Sequence, residues 1–228
     1  FPSPKQEYWL EIGFGSGEHL AAQAKANPHV GLIGCEIFLN GIASALSHID
    51  ADKLGNVRIY PEDVRDLLPA LKPQSFTKIF LLFPDPWHKA RHAGRRFVNQ
   101  ANLDIVASLL KPGGEFRVGS DDPVYIGWSL AHTTRHPAFK WLADSAADWA
   151  VRPDDWPRHL ARMCDFWSAT LLRTGRYQGR PLPPGHPPSP QRQRANALKR
   201  GTPCVHPSSS TPRGVQACSR TWRRLSSS

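Results

Sequence analysis

Asp85 stands between two prolines in Pro84-Asp85-Pro86-Trp87, directly after the apolar run Ile79 to Phe83. A proline fixes its own φ and offers no N–H to a sheet ladder, so a strand stops here and the carboxylate is held stiffly beyond its end. Six basic or potentially basic side chains lie in the next stretch: His88, Lys89, Arg91, His92, Arg95 and Arg96. A fixed acid beside cations suits a ligand that carries both hydrogen-bond donors and phosphates. The plain alternative is a turn and the solvated start of a helix. Strand, rigid acid and basic loop in succession favour a site.

A second group of residues could hold a small molecule. Gly13-Phe14-Gly15-Ser16-Gly17 follows the short apolar stretch Tyr8 to Ile12. Glycines let a loop turn tightly and let a ligand approach the backbone, whose N–H groups attract carboxylates or phosphates. Taken alone, the pattern is equally an ordinary tight turn. Glu36 closes the next strand about 20 residues on, where an acid can take the two hydroxyls of a ribose. Asp63 follows the third strand, near where an adenine amino group would lie, and Asp121 follows the fifth. Glu36 or Asp63 could each cap a helix. At consecutive strand ends, they favour a ligand.

These residues need a frame, and the apolar pattern supplies one. Strands are expected at Tyr8–Ile12, His29–Ile37, Val57–Tyr60, Ile79–Phe83, Glu115–Val118 and Phe139–Leu142. Helices are expected after the glycine loop up to Asn27, and over Gly41–Asp52, Val64–Leu71, Val98–Leu110 and Pro123–Thr134. A proline and glycine stop, Lys111 to Gly114, closes the helix before the fifth strand. Alternating strands and helices predict an α/β fold, a Rossmann-like doubly wound, mostly parallel sheet flanked by helices. Trp149 to Pro157 shows no clear period.

The net charge of +10 belongs to one end of the chain. Residues 1–157 carry 16 Lys+Arg and 18 Asp+Glu, a net of −2, whereas residues 158–228 carry 13 and 1, a net of +12. Only His88 to Arg96 therefore counts as a cationic footprint on the folded part. Two domains are expected: 1–157, the folded body, and 158–228, a disordered basic C-terminal tail rich in Arg, Pro and Ser. Within the tail, Arg158 to Arg173 could form one amphipathic helix. No apolar run has the roughly 18–20 residues of a membrane span. Cys35, Cys164, Cys204 and Cys218 have no C-x-x-C spacing, which argues against a metal site or disulfide framework and for a reducing, cytoplasmic setting. A monomer is expected.

The loop and strand-end acids would serve either a nicotinamide dehydrogenase or a methyltransferase. Gly13-x-Gly15-x-Gly17 is shorter than the dinucleotide pattern, and Pro84 to Trp87 is similar to motifs with which nucleic-acid methyltransferases hold a target base. Together with Leu10 to Gly15, Gly34-Cys35-Glu36, Phe83 to Lys89, Arg91-His92, Arg95-Arg96 and Ser120-Asp121, these residues resemble the bacterial tRNA (guanine-N7-)-methyltransferases over about residues 8–157. The resemblance implies methyl transfer from S-adenosyl-L-methionine to N7 of guanine 46 in the variable loop of tRNA. It implies Asp85 as the catalytic residue, and Glu11, Gly13, Gly15, Gly17, Glu36, Asp63 and Asp85 as cofactor contacts. It implies Lys89, Asp121, Arg91, His92, Arg95 and Arg96 as substrate contacts. The family's Thr-x-(Phe/Tyr)-Glu motif and final strand do not follow Pro157, and its N-terminal segment is absent before Phe1. A shifted reading frame in GC-rich DNA would produce the Arg, Pro and Ser-rich ending. The alternative is a non-catalytic, inactivated RNA-binding remnant of the same fold.

Overall fold

The structure is a computed structural model and describes residues 1, 3–142 and 167–173. Five parallel strands form its body: β1 (Glu7–Ile12), β2 (Val30–Cys35), β3 (Val57–Tyr60), β4 (Phe76–Leu82) and β5 (Leu110–Ser120). Two further strands, β6 (Phe139–Trp141) and β7 (Trp167–Arg173), complete a sheet of order β3-β2-β1-β4-β5-β7-β6. Strand β7 runs antiparallel to both of its neighbours. The doubly wound α/β frame expected from the pattern is what the chain forms.

The central strands β1, β2 and β4 are buried on both faces, as parallel strands flanked by helices must be. In β4, Ile79 and Leu81 enter one core while Phe80 and Leu82 enter the other. Helices α1 (Glu18–Ala26) and α2 (Leu39–Ala51) cover the second face through Leu20, Ala24, Ile42 and Ala45. The short α3 (Val64–Leu67), α4 (Gln100–Leu109) and α5 (Pro123–Thr133) cover the first through Val64, Leu103, Val106 and Tyr125. Cys35 is buried at the end of β2, and burial, with Asp63 and Glu36 nearby, pushes its thiol up to about 12.

Strand order reverses between β1 and β4. The chain steps from β1 outward to β2 and β3, then returns to place β4 on the other side of β1. Ladder partners Ile12 and Leu81 bring the ends of β1 and β4 side by side. A crevice opens at such a switch point, because the connections on either side lead away from it. The glycine loop and the Pro-Asp-Pro-Trp loop both leave the sheet there.

Two elements differ from the sequence expectation. Strand β5 starts at Leu110: Phe76 pairs with Leu110, then Lys78 with Glu115, and the residues between bulge out with Gly113 at φ 78°. The proline and glycine stop is thus a bulge inside a ladder. The second difference is β7. Trp167–Arg173 is a strand and not the end of an amphipathic helix over Arg158–Arg173, and it lies in the sheet although it is past residue 157. Without it, β5 would show an unpaired row of N–H and C=O groups, and filling that edge outweighs a short helical period. Residues 143–166 and 174–228 lie outside the described residues. So do the irregular Trp149–Pro157 segment, the tail beyond Gly175, and Cys164, Cys204 and Cys218. Among the described residues, no helix is long and apolar enough to cross a membrane.

Two histidines on the α5 side set a pH limit on stability. Buried His136 accepts from Ala138 N through Nδ1 (3.3 Å) and so presents Nε2–H to Asp104 Oδ1 at 3.2 Å. Burial holds its imidazole below the ordinary histidine range despite the upward pull of Asp104. His132 is lowered by burial first, then by Arg135 and Arg96. The unfolded chain therefore takes up protons near 6.5 that the native chain refuses. Stability is complete above that pH and declines as pH falls below it. The urea midpoint should drop between pH 7.5 and 5.5, before the carboxylates titrate, and should drop less in His136→Gln. Equal midpoints at the two pH values would show that these histidines are not held neutral.

Candidate functional site

The glycine loop is built from β1 into α1. Gly13, Gly15 and Gly17 have φ of 68°, 58° and 80°, a region that L side chains avoid. The three glycines do different work. A Cβ added at Gly13 or Gly15 would meet nothing within 4 Å, so these two border open space at the end of β1. A Cβ at Gly17 would lie 2.4 Å from Ala45 Cβ and 2.8 Å from its Cα. Gly17 thus allows α1 and α2 to touch. Gly41 does the same on the other side, since its Cβ would come within 2.3 Å of the Gly15 carbonyl.

Acids stand behind this cradle. Buried Glu36 accepts from Gly15 N at 2.9 Å through one oxygen, and from Ile37 N (2.7 Å) and Phe38 N (3.0 Å) through the other. It locks the loop to the start of α2. Buried Glu11 lies 2.8 Å from His19 Nδ1, and the His19 ring stands edge-on to Phe80. His19 escaped the sequence reading; its position in the first turn of α1, eight residues past Glu11, was the available sign. Removing one partner of a buried pair strands the other. His19→Leu should cost about 3 kcal/mol by that argument, read as a lower urea midpoint. A change below about 0.5 kcal/mol, the range of ordinary surface substitutions, would show that Glu11 does not depend on it.

Asp63 is placed differently from the expectation of a ligand contact alone. It caps α3, accepting from Arg65 N at 2.9 Å, and grips the Arg65 guanidinium, with Nε at 2.9 Å. Burial pushes the carboxyl up, but the Arg65 hydrogen bonds and charge outweigh it and hold Asp63 below the ordinary carboxylate range. Of the two readings open for this residue, the cap is formed in the structure.

The second half of the site leaves β4. Phe83 N donates to Gly119 O at 2.8 Å, tying the loop's start to β5. Phe83 and Trp87 have φ of 49° and 46°. Left-handed backbone at a bulky residue costs on the order of 1–3 kcal/mol, so Pro84-Asp85-Pro86 is strung between two strained points. Asp85 is exposed, and its carboxylate makes no hydrogen bond or ion pair among the described residues. The basic segment then winds through a 3₁₀ turn, Ala90–Arg95. Lys89, Arg91 and Arg95 are exposed there. Arg95 lies over the Trp87 ring, 4.8 Å from its centroid, and half-buried His92 meets that ring edge-on and accepts from Arg91 Nε at 3.3 Å.

Arg96 corrects an expectation. It is 5% exposed and turns inward, donating to Pro86 O at 2.8 Å and Trp87 O at 3.0 Å. It does not share the solvent-facing role of its neighbours. Asp121, expected as a contact, is exposed beyond β5, while the adjacent Asp122 does the local work. Asp122 caps α5 by accepting from Tyr125 N at 2.8 Å and meets His88 Nε2 at 2.6 Å. Burial pushes its carboxyl up, and the bonds from His88 and the α5 backbone bring it below the ordinary range.

A crevice edged by bare backbone, a buried acid at its rear, and an exposed acid with cations at its mouth fit a nucleoside-bearing cofactor beside a phosphate-bearing substrate. The comparisons with known proteins bear on this arrangement. Residues 5–156 match the family described as "Putative methyltransferase". A tRNA (guanine-N(7)-)-methyltransferase of Azorhizobium caulinodans is 48% identical over 157 residues, 69% of this chain and 68% of that protein. The chain belongs to the tRNA (guanine-N7-)-methyltransferase family. A second family member, from Rhodospirillum rubrum, is 56% identical over 156 residues, covering 68% of this chain and 61% of the relative. A third, from Paramagnetospirillum magneticum, is 55% identical over 158 residues, 69% and 66% of the two. The chain thus spans less than two thirds of the length of these two relatives. The segment matched to the "Putative methyltransferase" family contains every site residue described above and stops before β7. Among solved structures, an rRNA methylase from Streptococcus thermophilus has a TM-score of 0.52 at 9% identity, covering 75% of this chain and 88% of that one. An O-methyltransferase from Thermotoga maritima has a TM-score of 0.52 at 17% identity, covering 76% and 62%. These two share the fold.

Proposed function

We propose that this chain transfers a methyl group from S-adenosyl-L-methionine to N7 of guanine 46 in the variable loop of tRNA. The observation that carries the reading is Asp85: an exposed carboxylate fixed between two strained residues at the switch point, beside a bare glycine loop, in a chain of this family. Glu11, Gly13, Gly15, Gly17, Glu36, Asp63 and Asp85 would hold the cofactor, the glycines through open backbone. When bound, the cofactor supplies an electrophilic methyl whose sulfur leaves with the bonding electrons, so guanine N7, with its free lone pair, needs no base to deprotonate it.

The protein's part is then alignment and charge. Ordering two reactants can be worth several kcal/mol. A methylated N7 leaves the purine cationic, and Asp85, accepting from guanine N1–H and the amino group, would stabilise charge as it develops. Lys89, Arg91, His92 and Arg95 would hold phosphates, and Asp121 would sit at the substrate side of the same edge. Phosphate contacts give affinity and register but carry no sequence information, so the shape of the RNA would supply selectivity. A tRNA substrate also agrees with a cytoplasmic setting.

The test uses the full chain, labelled S-adenosylmethionine and unmodified tRNA, with the product mapped by cleavage at N7-methylguanine. One labelled guanine in the variable loop is expected. RNA retention with no transfer would instead favour the non-catalytic reading.

A further inference from the structure

We propose that Arg96 is a positioning residue that ties the neck of the basic loop and thereby sets the placement of Asp85. The inference rests on the reading of Asp85 given above. A charged group is normally buried only with a counter-charge, and among the described residues buried Arg96 makes no ion pair. Its guanidinium instead donates to the carbonyls of Pro86 and Trp87, the two residues that follow Asp85. Its flat face lies over Trp128 of α5, 4.6 Å from the ring centroid, a favourable cation–π contact when desolvated. A methionine or leucine would fill that space without the desolvation cost. A guanidinium is needed only if its fork has something to hold.

What it holds is a closed loop. The backbone of Arg96 is fixed at the far end, where Arg96 N donates to Ala93 O and Asn99 Nδ2 donates to Arg96 O. Asn99 is itself the cap of α4. Trp128 is fixed in turn, its indole N–H donating to Val98 O at 2.5 Å. The side chain therefore spans from the entrance of α4 back to the exit of β4, and His88 to Arg95 form the loop between. One of the two carbonyls belongs to Trp87, whose left-handed φ an unheld chain would relax. Untied, Asp85 would lose its fixed place while the exposed Lys89, Arg91 and Arg95 kept their charges. The two arginines of Arg95-Arg96 thus do opposite jobs.

The test compares Arg96→Met and Arg96→Lys with Arg91→Gln in the full chain. Three readouts are used: steady-state methyl transfer, the salt dependence of tRNA binding, and amide hydrogen exchange across residues 83–89. Arg96→Met should lower kcat about 10- to 100-fold, the scale of a displacement near 1 Å, with KM for tRNA changed less than about threefold. Its salt slope should match the parent, and its amides near Trp87 should exchange faster. Lysine, which lacks the planar fork, should rescue only in part. Arg91→Gln should do the reverse, flattening the salt slope by about one phosphate contact and leaving exchange unchanged. Trp128→Leu combined with Arg96→Met should be little worse than Arg96→Met alone, since both break one device. A flattened slope with unchanged exchange in Arg96→Met would make Arg96 a phosphate contact and overturn the proposal. Unchanged kcat and exchange would overturn it as well. If the parent chain transfers no methyl, the functional reading fails, while slope and exchange still decide whether Arg96 ties the loop.

Discussion

Asp85→Asn should abolish most methyl transfer, by about a hundredfold or more, while cofactor binding stays within a few fold. Guanine offers two adjacent donors, N1–H and the amino group, and a carboxylate accepts from both. An asparagine offers one acceptor and one donor, so one of its groups would face another donor. It also carries no charge to set against the cationic purine that N7 methylation creates. The substitution should not disturb the fold, because the Asp85 side chain is exposed and supports no other residue among those described. Melting temperature, cofactor titration and single-turnover transfer separate these effects. Unchanged turnover in a well-folded variant would remove Asp85 from the chemistry.

Gly17→Ala should damage the molecule in another way. A side chain there must adopt φ near 80° and also drive its Cβ into Ala45, where both the side chain and Cα lie inside 3 Å. The first effect costs on the order of 1 kcal/mol, and overpacking adds about 1–3 kcal/mol. Helix α2 must move away from α1. It carries Gly41, which rests on the Gly15 carbonyl, so cofactor binding should fall together with stability. Gly13→Ala provides the contrast. It keeps the backbone cost and meets no neighbour, so its stability loss should stay near 1 kcal/mol while cofactor affinity falls through intrusion on the open side of the loop. Equal stability losses in the two variants would show that contact with Ala45 is not what Gly17 provides.

The frame and the two loops were legible because each is written locally. Buried parallel strands read as apolar runs, and the turns after β1 and β4 are spelled by glycines and prolines whose backbone preferences need no distant partner. What the chain does with Arg96 was hidden. Arg95 and Arg96 are chemically alike and adjacent, yet Arg95 closes a 3₁₀ turn in solvent while Arg96 faces Trp128, 32 positions on. No spacing rule signals a buried guanidinium held by carbonyls. Asp121 and Asp122 pose the same problem: two neighbouring acids, of which helix capping selects the second. The Glu11–His19 pair was nearer to being readable, since both residues flank the glycine loop. Strand β7 is hard to read because a short amphipathic period fits helix or strand alike, and its partner β5 lies some fifty residues earlier.

That antiparallel strand has a consequence for how the protein is made. A nascent chain emerges from its N-terminus and can assemble β3-β2-β1-β4, the half that carries the cofactor cradle, before the rest of the sheet has been made. Strand β5 then waits with one edge bare until Trp167–Arg173 has been synthesised. A bare edge meanwhile is a template for pairing with other chains. Yield at high expression should therefore depend on the C-terminal strand more than on any residue of the site. Slowing synthesis ahead of it would prolong the interval in which aggregation competes with folding.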